Sequence, residues 1–208
     1  MLKKILELKD KILDNAEMFN FVRNITDSRS HNLGIVKKEL DAGRQEKILD
    51  IGCGIGNFSK FSEGIYTGID FNENFIKYAI KHYGGKNNTF MVMDAKKLKF
   101  RNKSFDKSIF VGMLHHFSDE ECGMILKEAM RVTKTRLVIS DMLPTKGLNL
   151  PLPRKMLVNF IYKMDRGSSI RPKEKQIDIV RKYFKVEKFI KYNARMGINS
   201  LMVCRPLR

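Results

Sequence analysis

The stretch LDIGCGIGNF, residues 49–58, places glycines at positions 52, 54 and 56 directly behind an aspartate, Asp50. The apolar residues before the glycines predict a buried strand, and the residues after them predict the start of a helix. A glycine-rich turn between a strand and a helix is typical of ligand sites in open parallel sheets. The common dinucleotide fingerprint, GxGxxG, is not completed, because Asn57 stands where its last glycine is required.

Asp50 indicates that the turn does not bind pyrophosphate. Its carboxylate lies at the end of the predicted strand, where it would repel a phosphate and attract a cation. An amino-acid group suits such a site. Its ammonium would lie near Asp50 and its carboxylate near the N-terminus of the following helix.

Two further acids follow at the ends of the next two predicted strands. Asp70 comes twenty residues after Asp50, the spacing of an acid that accepts hydrogen bonds from ribose hydroxyls. Asp94 is placed to accept from an adenine amino group, and Ala95 leaves room for the ring. The three acids match ammonium, ribose and adenine in order, and S-adenosylmethionine carries all three groups.

Short apolar runs alternate with amphipathic segments on both sides of the glycine turn, which predicts a parallel sheet covered by helices. The predicted strands are residues 47–52, 65–70, 89–94, 105–113 and 136–142. The predicted helices are residues 28–40, a helix opening at 56, 72–83, 119–132, 154–167 and 171–184. Two strands within residues 186–207, joined by a turn near 195–197, must pair antiparallel. The predicted fold class is α/β, a three-layer doubly wound, mostly parallel, Rossmann-like sheet that ends in an antiparallel hairpin.

The chain resembles the class I S-adenosylmethionine-dependent methyltransferases of the small-molecule type. The motifs ILDIGCGIGNF, YTGIDFNENFIKYA and VMDAKKLKFRNKSFDKSIFVGMLHHF carry the resemblance, together with the helix and strand behind them. It covers about residues 46–141 and the closing hairpin. Apolar residues at helical spacing predict an N-terminal helical cap at residues 1–45. The resemblance implies a cofactor-binding methyltransferase domain at 46–208 with a basic, apolar lid segment at about 143–172, and it implies that the cap and the lid help to select the methyl acceptor.

The resemblance also implies the residues that bind the cofactor. These are Asp50, Gly52, Cys53 and Gly54 at the methionine end, Asp70 and Phe71 at the ribose and adenine edge, Asp94 and Ala95 at adenine, and Val111 near the sulfonium.

Two adjacent histidines, His115 and His116, follow the fourth strand where an acceptor must approach. A histidine titrates in the range that suits a general base, so both are candidate catalytic residues, and the sequence does not choose between them. The alternative is that one of them packs against the adenosyl group or stabilises the loop. No metal site is predicted, because Ser118 and Glu121 form a capping box that explains the neighbouring acids.

The net charge of +17 is unevenly distributed. Residues 142–208 carry 16 lysines and arginines against four acids. The excess is either a solvated surface or a site for an anionic partner such as nucleic acid, lipid headgroups or an acidic metabolite. The lid segment has three alternative interpretations. It is a helix that packs on the core, a lid over a small acceptor, or a segment that contacts a membrane surface or nucleic acid.

The sequence favours a cytoplasmic location. No run approaches the 18 apolar residues of a membrane span, and the charged N-terminus has no apolar signal core. The three cysteines are widely spaced, which favours reduced thiols. The oligomeric state is not predicted.

Three functions compete on these observations. The motif LHHF and the apolar lid favour a methyltransferase acting on a small or lipid-like acceptor. The charge favours a methyltransferase acting on RNA, whose affinity would fall steeply with salt. The third is a non-catalytic module that binds S-adenosylmethionine and transfers nothing.

Overall fold

The computed structural model describes residues 15–18, 20, 29–144, 152, 156, 169–194 and 197–207. The strands are β1 Lys47–Ile51, β2 Ile65–Asp70, β3 Asn88–Val92, β4 Phe105–Val111, β5 Thr133–Met142, β6 Phe184–Ala194 and β7 Gly197–Pro206. The α-helices are α1 Arg29–Leu40, α2 Glu73–Tyr83, α3 Asp119–Val132 and α4 Lys173–Arg181. Two short 3₁₀ helices cover Asn57–Phe61 and Leu114–His116.

The seven strands form one sheet in the order β3-β2-β1-β4-β5-β7-β6. Strands β1 to β5 run parallel, and β7 lies antiparallel between β5 and β6. The predicted α/β sheet with a closing antiparallel hairpin is confirmed. The strand order reverses between β1 and β4, and sheets of this kind bind ligands at that point, beyond the carboxyl ends of the strands.

Both faces of the sheet are covered, which confirms the three-layer architecture. Strand β1 alternates between the two cores: Leu49 and Ile51 lie in a cluster with residues of α3 and α4, and Ile48 lies in a cluster with residues of α1 and α2. Because both faces of this strand are buried, successive residues must be apolar, which explains the continuous apolar run in the sequence.

The helix predicted to open at Gly56 is one 3₁₀ helix of five residues. It is short because the chain turns back at once into β2. The residue after it, Ser62, is already extended, and a Cβ on Gly64 would lie 2.4 Å from the backbone oxygen of Glu46. Strand β3 also ends at Val92, before Asp94, and β5 begins three residues earlier than predicted.

The capping box at the start of α3 is present as predicted. The Glu121 backbone N–H donates to the Ser118 hydroxyl at 3.2 Å, and the Ser118 backbone N–H donates to the Glu121 carboxylate at 3.1 Å.

The predicted cap and lid lie largely outside the described residues, so this domain division stays a prediction. Helix α1 agrees with the helix predicted at residues 28–40. In the lid segment, Leu152 and Met156 are helical and expose 71% and 65% of their surface. No helix in the described part of the chain is long and apolar enough to span a bilayer.

Candidate functional site

The predicted cofactor residues meet at one edge of the sheet. Asp70 and Val111 end β2 and β4, Asp50 is the penultimate residue of β1, and Asp94 lies two residues beyond β3. Strands β3, β2, β1 and β4 are parallel neighbours, so their carboxyl ends form one continuous border, here called the carboxyl edge. The three acids follow one another along it in the predicted order.

Asp50 is a buried carboxylate that is only partly paired. It is 2% exposed, and its Oδ2 accepts a hydrogen bond from the Tyr66 hydroxyl at 2.6 Å. Its Oδ1 has no hydrogen-bond partner among the described residues. Burial raises the pKa of Asp50 to about 7, the Tyr66 hydrogen bond opposes this rise, and the charge of Asp70 adds to it. A buried anion with one unpaired oxygen fits an ammonium group.

Asp70 ties the glycine turn to β2. One carboxylate oxygen accepts from the Gly54 backbone N–H at 2.9 Å, and the other accepts from the Asn72 backbone N–H at 2.9 Å. Burial raises the pKa of Asp70, against the backbone hydrogen bonds that lower it. Each oxygen keeps a second lone pair, so the carboxylate can also accept from ribose hydroxyls.

The glycine turn needs glycine for two different reasons. Gly52 has φ +75°, and a Cβ there would lie 2.8 Å from both Cγ and Sδ of Met113. Gly54 has φ +55° with nothing within 4 Å of the Cβ position, so open space lies over it. The turn is therefore packed from behind at Gly52 and open at Gly54, an arrangement that fits a ligand group lying on the turn.

Gly52→Ala is expected to weaken S-adenosylmethionine binding by at least about tenfold, because the left-handed φ and the Met113 contact make the free turn relax to another conformation, and restoring the binding conformation costs more than about 1.4 kcal/mol. Calorimetric titration measures the effect. Gly85→Ala, where a Cβ meets nothing within 4 Å, is the matched control and should bind normally. Equal losses in both variants would show that the conformation at Gly52 is not required.

The adenine side of the carboxyl edge carries exposed apolar groups. Phe71 follows Asp70 and exposes 72% of its surface, and Val92 at the end of β3 exposes 52%. Asp94 is exposed, with one carboxylate oxygen accepting from the Lys96 backbone N–H at 2.8 Å. The methyl group of Ala95 packs into the core with Leu98, so its side chain does not face the solvent.

Cys53 and Val111, the remaining predicted residues, are half-buried. The Cys53 thiol donates weakly to the Gly54 carbonyl at 3.6 Å. Burial raises its pKa well above 9, and the carboxylates of Asp50 and Asp70 add to this. The thiol is therefore neutral in the physiological range.

The two histidines differ sharply in their surroundings. His115 is 2% exposed, its Nδ1 is hydrogen-bonded to Oδ1 of Asp141, and its backbone N–H donates to Oδ2 of Asp141 at 3.1 Å. His116 is exposed, and its ring centroid lies 4.1 Å from that of His115. His115 is thus part of the interior, and His116 faces outward from the same 3₁₀ turn.

Arg171 fixes the loop that carries the histidines. The side chain is 8% exposed and donates to the carbonyls of Leu114 at 3.0 Å and Phe117 at 2.6 Å. It also pairs with Asp119 at 2.7 Å. The loop is therefore held from both sides, by Arg171 and by Asp141 at the end of β5.

Sequence reasoning missed Tyr66, Asp141 and Arg171. In the sequence alone, Tyr66 and Asp141 look like ordinary strand residues, and Arg171 looks like one of many surface cations. For Tyr66 and Asp141, the available signal was a polar side chain inside an otherwise apolar strand run, since buried polar groups need partners.

Among the residues that the structure describes, no group of three His, Cys, Asp or Glu side chains is placed to hold a metal ion.

The chain is similar to methyltransferases in sequence and in structure. Residues 48–136 match the family model described as a methyltransferase domain. The chain is 28% identical to the demethylmenaquinone methyltransferase of Thermotoga maritima over 149 residues, which is 68% of this chain and 63% of the relative. It is 36% identical to the probable tRNA methyltransferase 9B of Mus musculus over 87 residues, which is 41% of this chain and 19% of that protein.

Among solved structures, magnesium protoporphyrin IX methyltransferase from Synechocystis PCC 6803, with bound S-adenosylhomocysteine, superposes with a TM-score of 0.70. The two are 20% identical, and the superposition covers 97% of this chain and 99% of the other, which shows a common fold.

The methyltransferase prediction from the motifs is confirmed for residues 48–136, the segment that matches the family model. S-adenosylmethionine is accordingly the cofactor expected of this domain. The match spans less than two thirds of the length of the Thermotoga maritima relative. The individual site residues stay predictions, with which the geometry of the carboxyl edge is compatible.

Proposed function

We propose that this chain, which carries a class I S-adenosylmethionine-dependent methyltransferase domain, is an enzyme that methylates a small or lipid-like acceptor. The observation that best supports this acceptor class is the length of the sequence match. The match to the demethylmenaquinone methyltransferase covers 149 residues and so extends well outside the segment 48–136. It therefore includes parts of the chain that surround the cofactor-binding strands.

Exposed apolar side chains support the same acceptor class. Leu152 and Met156 lie four residues apart in the chain, and each is helical. Both are strongly exposed, and both belong to the predicted lid segment. Exposed apolar side chains at this place in the chain suit contact with an apolar acceptor.

The residues of the carboxyl edge supply binding and orientation. S-adenosylmethionine supplies a methyl group already activated on a sulfonium, so the protein has to place the acceptor in line and exclude water. His116 is the proposed general base, because it is exposed and can reach an acceptor proton. His115, held by Asp141, is the proposed positioning residue for the same turn.

RNA is the second candidate acceptor, favoured by the net charge of +17 and by the similarity to a probable tRNA methyltransferase. That match is about as long as the segment 48–136, which contains the cofactor-binding strands β1 to β4. It therefore supports an acceptor class less strongly than the longer match to the demethylmenaquinone methyltransferase does.

Transfer of labelled methyl groups distinguishes the candidates. The purified protein is incubated with methyl-labelled S-adenosylmethionine and a cell extract, and the products are separated with and without nuclease treatment. We expect label in small molecules or lipid that nuclease does not remove, and no label with the Asp50→Asn variant. Nuclease-sensitive label would replace this proposal with RNA methylation, and a protein that binds the cofactor but labels nothing would identify a non-catalytic module.

A further inference from the structure

We propose that Tyr66 is a positioning residue of the cofactor site. Its hydroxyl fixes the Asp50 carboxylate so that Oδ1 faces an incoming ammonium, and this arrangement makes cofactor affinity depend on pH. The inference rests on the cofactor site of the proposed function and is independent of the acceptor.

The Tyr66 ring is held rigidly beneath the glycine turn. It is completely buried, with its centroid 6.5 Å from that of Phe58 and 5.6 Å from that of Phe90. The hydroxyl is the only polar group of the side chain, and it donates to Oδ2 of Asp50 at 2.6 Å. The surrounding rings therefore fix where the donor points, and the donor in turn fixes the carboxylate.

Gly68 leaves the space that this contact needs. It is the register partner of Asp50 on β2 and lies two residues beyond Tyr66 on the same face of the sheet. A Cβ on Gly68 would lie 2.8 Å from Cδ1 of Phe90 and 2.9 Å from Sγ of Cys53. A side chain at this position would crowd the space beneath the turn, next to the Tyr66 and Asp50 pair.

Tyr66 is the group near Asp50 that favours its ionised form. The titratable groups that face Asp50 are Tyr66, Asp70 and Cys53. Burial raises the pKa of Tyr66 well above 10, so the hydroxyl stays a donor at neutral pH. Asp70 is a like charge, and the half-buried Cys53 thiol is neutral. Removal of the Tyr66 hydroxyl must therefore raise the pKa of Asp50 further above its present value of about 7.

Cofactor affinity should follow the ionisation of Asp50. An ammonium ligand binds the carboxylate and not the neutral acid, so protons compete with the ligand below the Asp50 pKa of about 7. In the wild-type protein the dissociation constant is expected to be about tenfold higher near pH 6 than near pH 8. If the pKa rises by about one unit in Tyr66→Phe, this variant loses about tenfold near pH 6 but only about twofold near pH 8.

Titration calorimetry with S-adenosylhomocysteine, which carries the same ammonium, tests this at about pH 6 and about pH 8. Tyr192→Phe is the matched control, since Tyr192 is also buried and its hydroxyl is 2.7 Å from that of uncharged Ser140. Tyr192→Phe should keep the wild-type dependence on pH. The same loss at both pH values in Tyr66→Phe would mean that Tyr66 only contributes packing, and would overturn the inference.

A second measurement needs neither ligand nor variant. The carboxyl carbon of Asp50, followed by nuclear magnetic resonance in the ligand-free wild-type protein, should titrate near pH 7. Titration at the ordinary aspartate pKa of about 4 would overturn the inference even if Tyr66→Phe failed to fold. Neither measurement requires methyl transfer, so failure here is distinguishable from a wrong acceptor.

Discussion

Asp50→Asn is expected to weaken S-adenosylmethionine binding by more than about a hundredfold, because the ammonium loses its buried counter-charge at a cost of about 3 kcal/mol or more. Calorimetric titration near pH 8 measures the change. Asp178→Asn, an exposed aspartate of α4, is the matched control and should bind as the wild type does. Binding that survives within a few-fold in Asp50→Asn would remove Asp50 from the cofactor site.

The same variant should stabilise the ligand-free protein above pH 7. The pKa of Asp50 rises from 3.8 to about 7 on folding, so ionisation opposes folding, and the penalty grows from about pH 4 until it is complete above pH 7. A shift of this size corresponds to on the order of 4 kcal/mol, of which the unpaired amide of asparagine offsets about 1–3 kcal/mol.

Thermal melting of both proteins at several pH values checks this expectation. The variant should melt at a higher temperature than the wild type near pH 8, and this advantage should disappear toward pH 4. A lower melting temperature near pH 8 would show that the carboxylate stabilises the fold, against the burial penalty described here.

His116→Ala is expected to lower the turnover number by about a hundredfold or more, the contribution of a positioned general base. The affinity for S-adenosylmethionine should stay within a few-fold, because His116 is not among the residues proposed to hold the cofactor. Single-turnover kinetics with the identified acceptor measure the rate. His82→Ala, an exposed histidine of α2, is the control and should leave turnover unchanged.

His115→Ala is expected to act on the fold as well. It leaves the buried Asp141 carboxylate without its imidazole partner, which should cost at least about 2 kcal/mol of unfolding free energy. Full turnover in His116→Ala, together with a loss of turnover without destabilisation in His115→Ala, would reverse the two roles.

Most of the fold could be predicted from the sequence, because its signals are local. The apolar runs, the glycine turn and the capping box at Ser118 each involve residues that are neighbours in the chain. The helix predicted to open at Gly56 is present only as the 3₁₀ helix Asn57–Phe61, after which Gly64 lies close to the backbone oxygen of Glu46. That contact depends on the pairing of two strands, which local patterns do not contain.

The meeting of the three acids at one edge of the sheet could be predicted for the same reason. Asp50, Asp70 and Asp94 each follow a strand, and the carboxyl ends of parallel strands must meet. The partners of these residues could not be predicted. Tyr66 lies 16 residues from Asp50, and Asp141 lies 26 residues from His115. Only the register of the sheet and the path of the loops bring them together.

A crystal structure of the protein with S-adenosylhomocysteine tests the central claim most directly. The ligand's ammonium should lie within hydrogen-bond distance of Oδ1 of Asp50, its ribose hydroxyls on Asp70, and its adenine against Phe71. A ligand bound away from the carboxyl edge, or an ammonium held by another group while Asp50 stays buried on Tyr66 alone, would contradict it.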